Sequence, residues 1–85
     1  MVLSPVTYNR KSGLALVCPI TSQVKGYPFE TAIPKGLPIQ GVVLTDQIRC
    51  LDWQQRHAKY IARIPDIFLL DVTARLAALL GLDEA

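Results

Sequence analysis

Four side chains able to hold a polar or charged ligand crowd into the stretch CPITSQVKGYPFE: Thr21, Ser22, Gln23 and Lys25, directly after an apolar run. A strand that ends in such groups fixes hydroxyls, an amide and an ammonium at the solvent-facing margin of a rigid sheet, where binding and catalytic residues gather. On residue type alone the plainer reading is the commoner one: Thr21 and Ser22 as turn or capping residues, and Lys25-Gly26 as a solvated turn. A second polar group lies further on. Asp46 stands between two β-type segments, where an aspartate commonly bonds the amides of a tight turn, and Arg49 on the following segment suits pairing with a carboxylate. His57, in the polar QQRHAK stretch, reads as a solvated loop histidine, and Trp53 as a packing residue rather than a stacking platform.

The elements that would hold these residues follow from pattern. Val2-Leu3 is a brief apolar start broken by Ser4-Pro5, and Tyr8 to Gly13 (YNRKSG) has turn chemistry. Leu14 to Ile20 is a continuous apolar run, expected as a central strand buried on both faces. Phe29 to Ile33 alternates as a half-buried strand does, and a Gly/Pro loop follows over Pro34 to Pro38. Gly41 to Leu44 and Gln47 to Leu51 are two further β segments around Thr45-Asp46; Asp52 to Ala58 is loop-like, and Lys59 to Ile64 reads as a last strand. After Pro65 the period changes: Leu69, Val72, Leu76, Leu79 and Leu80 recur at helical spacing, Asp71 and Arg75 form an i, i+4 pair, and Gly81 supplies the cap. These elements predict a mainly β fold with one C-terminal helix, a small twisted barrel or sheet.

Bulk properties narrow the function classes. The chain has 85 residues and 51% hydrophobic content, enough for one domain over 1–85 with a small core. A net charge of +2 is too mild to signal a polyanion partner by itself, so such a site has to be local. Cys18 and Cys50 both lie in apolar runs without a CxxC or Cys/His cluster, which argues against structural zinc and predicts two buried thiols in a reducing cytoplasm. Neither a signal peptide nor a stretch of ~18 apolar residues is present, so a soluble intracellular protein with no membrane association is expected.

Three blocks, VLSPVTYN, CPITSQVKGYPFE and GVVLTDQIRCLDW, resemble in order and spacing the MazF/PemK/Kid family of bacterial toxins, and with the apolar helix the resemblance runs from Val2 to Leu82. It implies an SH3-like barrel of the MazF/Kid/CcdB type, a homodimer, and metal-independent cutting of single-stranded RNA without a cofactor. It implies as partner an antitoxin whose disordered acidic C-terminal segment blocks the RNA groove. Thr21 matches the threonine the family places near the scissile phosphate, and Asp46 matches an aspartate given an acid or base role in some members. Ser22, Gln23, Lys25, Gln47 and Arg49 fall on positions implied to contact RNA. Leu44 stands where some relatives carry an arginine.

Cleavage through the RNA's own 2′-hydroxyl needs a proton acceptor, a donor to the leaving 5′-oxygen and charge stabilisation at phosphorus. A threonine hydroxyl is a poor base, so the resemblance assigns Thr21 to orienting the phosphate and charge stabilisation to an arginine. Family members carry that arginine in an Arg-Pro just before the segment that here reads VLSP, after a first strand and a loop; this chain opens at Met1-Val2. Two explanations stand open, a longer natural product and a shortened relative. Either way an exposed sheet edge is expected, and loss of one such charge donor typically lowers rate ~10²–10³-fold. Two other readings therefore compete with the ribonuclease: a catalytically dead module that binds antitoxin or pairs with a full-length toxin, and a gyrase inhibitor of the CcdB type.

Overall fold

The stretch expected as turn chemistry, Tyr8 to Gly13, forms most of a helix, α1 (Val6–Ser12), in the computed structural model, which describes residues 1–58 and 61–82. No residue of α1 is buried, so no apolar stripe announced it. Its ends hold it instead. The Asn9 amide donates to Ser4 O at 3.2 Å and its oxygen accepts from the Ser4 hydroxyl, while Gly13 takes the left-handed conformation (φ +73°) and donates to Asn9 O at 3.0 Å. Arg10 and Lys11 face the negative end of the helix dipole. The half-buried Trp53 bonds to α1, its indole N–H donating to Asn9 O at 3.0 Å.

The apolar run from Leu14 is broken rather than continuous. It yields β1 (Leu14–Val17) and β2 (Ile20–Thr21) in two different antiparallel sheets, because Pro19 has no N–H to continue a ladder and its carbonyl turns to accept Leu44 N–H at 2.9 Å. Nor is β1 buried on both faces: Ala15 is buried while Leu16 is 39% exposed. The remaining strands are β3 (Glu30–Ala32), β4 (Val42–Leu44) and β5 (Arg49–Asp52). Gln47, expected within a strand, closes a single 3₁₀ turn over Thr45–Gln47. β1 pairs with β5, Leu14 opposite Asp52 and Val17 opposite Arg49, and β4 lies centrally between β2 and β3. Among the described residues the strands make two sheets and no closed barrel, since the Cys18-Pro19 corner separates them. On its other side β1 meets the first residues, through a Val2–Val17 bridge and the Leu3 N–H to Leu16 O bond of 2.8 Å.

Of the last strand expected over Lys59 to Ile64, Lys59 and Tyr60 lie outside the described residues, and Ile61 to Ile64 run unpaired. Pro65 disfavours helix at Ile64 and keeps the approach extended. The C-terminal helix, α2 (Asp66–Leu79), forms as expected, with Arg75 Nε 3.2 Å from Asp71 Oδ1. The Gly81 N–H to Ala78 O and Leu82 N–H to Ala77 O bonds close it as a Schellman cap. Its inward face differs from expectation: Phe68 and Val72 are buried, with Leu69 and Leu76 half-buried, while Leu79 and Leu80 face solvent. The core joins Cys18, Ile33, Val43, Phe68 and Val72. Within it Thr31 and Thr45 are also fully buried, and their hydroxyls bond each other at 3.0 Å, satisfying both. Among the described residues no helix is long and apolar enough to cross a membrane.

The two cysteines divide. Cys18 is 1% exposed, its Sγ 3.8 Å from Thr45 O, whereas Cys50 on β5 is exposed, since β5 covers only one face. Burial pushes the Cys18 thiol above its ordinary value of 9.0, and the Asp46 carboxylate adds to the rise. The folded state thus holds this proton more tightly than the unfolded chain. That contribution is whole below pH 9.0 and is lost as pH climbs through the raised folded value. We expect stability to chemical denaturation to fall above that pH, and Cys18→Ala, though less stable at neutrality, to show a shallower alkaline decline. Native alkylation should label Cys50 alone; equal labelling of both thiols would contradict this core.

Candidate active site

β2 ends at Thr21, held opposite Val42 of β4. The Thr21 hydroxyl accepts the Gln23 N–H at 3.1 Å and so bends the chain out of the sheet. The plain turn role and the ligand-facing role are therefore compatible in one side chain, because Thr21 is only half-buried. Beyond it the chain loops through Lys25 and Tyr27 before entering β3. A cavity of about 160 Å³ opens between this loop and the end of β4. Thr21, Gln23, Lys25 and Gln47, four residues expected from sequence, line it together, along with Tyr27, Glu30 and Leu44, which sequence reasoning missed.

Three expected residues stand apart. Ser22 is exposed outside the cavity, its Cα instead close to Gly41. Asp46 is exposed in the 3₁₀ turn and, among the described residues, its carboxylate makes no hydrogen bond, so the turn-capping role considered for it is not taken up. Arg49 opens β5 opposite Val17, exposed and outside the cavity; the ion pairs among the described residues are Arg63–Asp66 and Arg75–Asp71, and neither involves it.

Glu30 is the most informative of the missed residues. Its carboxylate accepts the Gly26 N–H at 2.8 Å and the Lys25 N–H at 3.1 and 3.2 Å to its two oxygens. A signal for it existed: Lys25 and Gly26 carry amides needing acceptors in a segment without a ladder, and a carboxylate follows four and five positions later. Tyr27 and Leu44 gave no comparable signal. The cavity thus offers a hydroxyl, two side-chain amides, a phenol and an ammonium, a set of donors suited to an anionic, hydrogen-bonding ligand. Its one carboxylate is already occupied. Asp46, next to Gln47 in the chain, is the unbonded one. Among the described residues no three His, Cys, Asp or Glu side chains converge.

Residues 1–80 match the family described as PemK-like, MazF-like toxin of type II toxin-antitoxin system. The chain belongs to this family. It is 38% identical over 81 residues to the endoribonuclease toxin MazF of Escherichia coli, an alignment covering 95% of this chain and 72% of that protein. Against the endoribonuclease PemK of Escherichia coli it is 30% identical over 84 residues, covering 94% and 63%. The fold is likewise similar to MazF from Deinococcus radiodurans, with a TM-score of 0.91, 48% identity and coverage of 95% of this chain and 74% of the other. A MazE–MazF structure from the same organism gives 0.93, 47% identity, and 98% and 84% coverage. The MazF-like match bears out the mainly β fold with a C-terminal helix, in the two-sheet form described above.

The position of Thr21 depends on Gly41. At Gly41 (φ +120°) a β-carbon would overlap the Thr21 carbonyl oxygen and lie 2.9 Å from its carbonyl carbon. Backbone cannot swing away as a side chain can. Gly41→Ala should therefore lower stability by about 3 kcal/mol or more and displace Thr21 from β4. Denaturant melts joined to amide chemical shifts of Thr21 and Val42 will measure both effects; a variant melting like wild type would refute the constraint.

Proposed function

We propose that this chain is the endoribonuclease domain of a toxin-antitoxin pair, acting on single-stranded RNA as a homodimer and restrained by an antitoxin. The observation that carries the reading is the convergence of Thr21, Gln23, Lys25 and Gln47 on one cavity. Family membership supports the reaction class, since the similar MazF and PemK proteins are named endoribonucleases. That one similar structure is a MazE–MazF complex supports an antitoxin partner.

In this mechanism the Thr21 hydroxyl and the Gln23 and Gln47 amides orient the phosphodiester, and the Lys25 ammonium offsets charge building on the non-bridging oxygens. The 2′-oxygen attacks phosphorus, giving up its proton; the bond to the 5′-oxygen breaks, that oxygen is protonated, and a 2′,3′-cyclic phosphate remains. Asp46 is the proton-transfer group, because its carboxylate is exposed and unbonded while that of Glu30 is occupied. Ser22 and Arg49, exposed beyond the cavity, contact flanking nucleotides.

A second reading, a module that binds antitoxin or pairs with another toxin, draws support from α2, where the apolar side chains of Ile67 and Leu70 are 78% and 67% exposed. One assay separates the two. Long single-stranded RNA incubated with the protein in EDTA should yield discrete fragments ending in 2′,3′-cyclic phosphate, with Thr21→Ala slower by about 10–10²-fold. No cleavage, either by this chain or by a form carrying the family's Arg-Pro segment upstream, would overturn the ribonuclease reading in favour of the binding module.

A further inference from the structure

We infer that Glu30 is a positioning residue: its carboxylate locks the Lys25–Gly26 turn by main-chain bonds and so holds Lys25 and Tyr27 at the rim of the Thr21 cavity with the Lys25 ammonium free. The inference rests on the ribonuclease reading and adds to it a residue that touches no substrate.

Over residues 22–27 the loop between β2 and β3 has little else to order it. Val24 and Tyr27 are each 63% exposed, so apolar packing does not anchor it. Its amides are held by side chains: Gln23 N–H by the Thr21 hydroxyl, and Lys25 and Gly26 N–H by Glu30. Glu30 also acts through its backbone, its N–H donating to Tyr27 O at 3.1 Å, so one residue closes the loop twice. Because Glu30 is the first residue of β3, paired with Leu44 of β4, the lock is tied to the sheet rather than to another loop. Arg75 of α2 reaches the same loop, its guanidinium donating to Pro28 O at 3.3 Å.

The direction of the carboxylate matters as much as its presence. A glutamate beside a lysine ordinarily pairs with it, and such a pair would neutralise the cation meant for phosphate. Here both oxygens face backbone N–H groups, and Lys25 takes no part in the ion pairs found among the described residues. The same occupancy removes Glu30 from proton transfer. Glutamine offers only one acceptor oxygen and sets an NH₂ against an amide, and aspartate is a methylene short.

Wild type, E30A, E30Q, K25A and the double variant K25A/E30A are compared by amide hydrogen exchange and by binding of a mixed-sequence single-stranded oligoribonucleotide at low ionic strength. In E30A the Lys25 and Gly26 amides should exchange at least about tenfold faster. E30A and E30Q should bind RNA roughly three- to tenfold more weakly, although removing a negative charge would by itself tighten binding. In the K25A background the Glu30 substitution should cost less than it does in wild type, the remainder reflecting Tyr27, a coupling that general destabilisation would not produce. Unchanged exchange at Lys25 and Gly26, tighter RNA binding by both Glu30 variants, or additive losses in the double variant would each overturn the proposal. A wild type that binds no RNA overturns the ribonuclease reading instead, and amide exchange then decides the lock alone.

Discussion

One close approach of backbone to backbone organises this fold: β4 enters the sheet at Gly41, against the carbonyl of Thr21, where no other side chain fits without displacement. From that contact the pairings propagate. Val42 faces Thr21 on one side and Ala32 on the other, Val43 faces Ile20 and Thr31, and the Gly41 carbonyl accepts Ile33 N–H at 3.0 Å. A single three-residue strand thus fixes the end of β2, where the threonine stands, and the start of β3, where Glu30 stands. Val42 and Val43 are both buried, so β4 is covered on both faces and is held by packing as well as by its two ladders.

The polar interior serves the same end. Thr31 and Thr45 satisfy each other's hydroxyls in a site closed to water, so neither carries an unmet bond, and removing one alone would strand its partner. Thr45 also donates its N–H to Phe29 O at 3.1 Å. It begins the 3₁₀ turn that presents Asp46 and Gln47, so the orientation of these surface residues is set by a buried hydroxyl pair beneath them. The Cys18 thiol lies 3.8 Å from the Thr45 carbonyl oxygen, one residue before Asp46, whose charge reaches it.

How much of this was legible depended on the range of the forces involved. β3 and α2 were readable because an alternating or helical apolar pattern is written locally, as was the Gly81 cap. The helix α1 was not: its order comes from Asn9 bonding back to Ser4 and from Trp53, forty-four positions away, meeting its backbone. The break at Pro19 was visible in residue type but overridden by the apolar run around it. For the site, the types in TSQVK marked out Thr21, Gln23 and Lys25, and family resemblance added Gln47. Glu30 escaped because a carboxylate in an alternating strand looks like a solvated position, and only the loop's return toward β3 shows what its oxygens meet. The separation of Asp46 and Arg49 from the cavity is likewise tertiary, a product of the 3₁₀ turn that lies between β4 and β5.

The distribution of apolar surface bears on stability as well as on partners. Among the described residues seven hydrophobic side chains are buried, from Ala15 to Val72, whereas thirteen large ones are exposed, including Ile67, Leu70 and Leu80 on α2. A core of that size, in a chain of 85 residues, leaves a narrow margin over conformational entropy. Whatever covers the exposed face stabilises the fold by mass action, about 2.7 kcal/mol at a concentration a hundredfold above its Kd. For a small domain that increment is a sizeable share of the whole. A ligand that bound α2 in the folded chain alone would therefore also steady the sheets on which Thr21 and Glu30 are mounted.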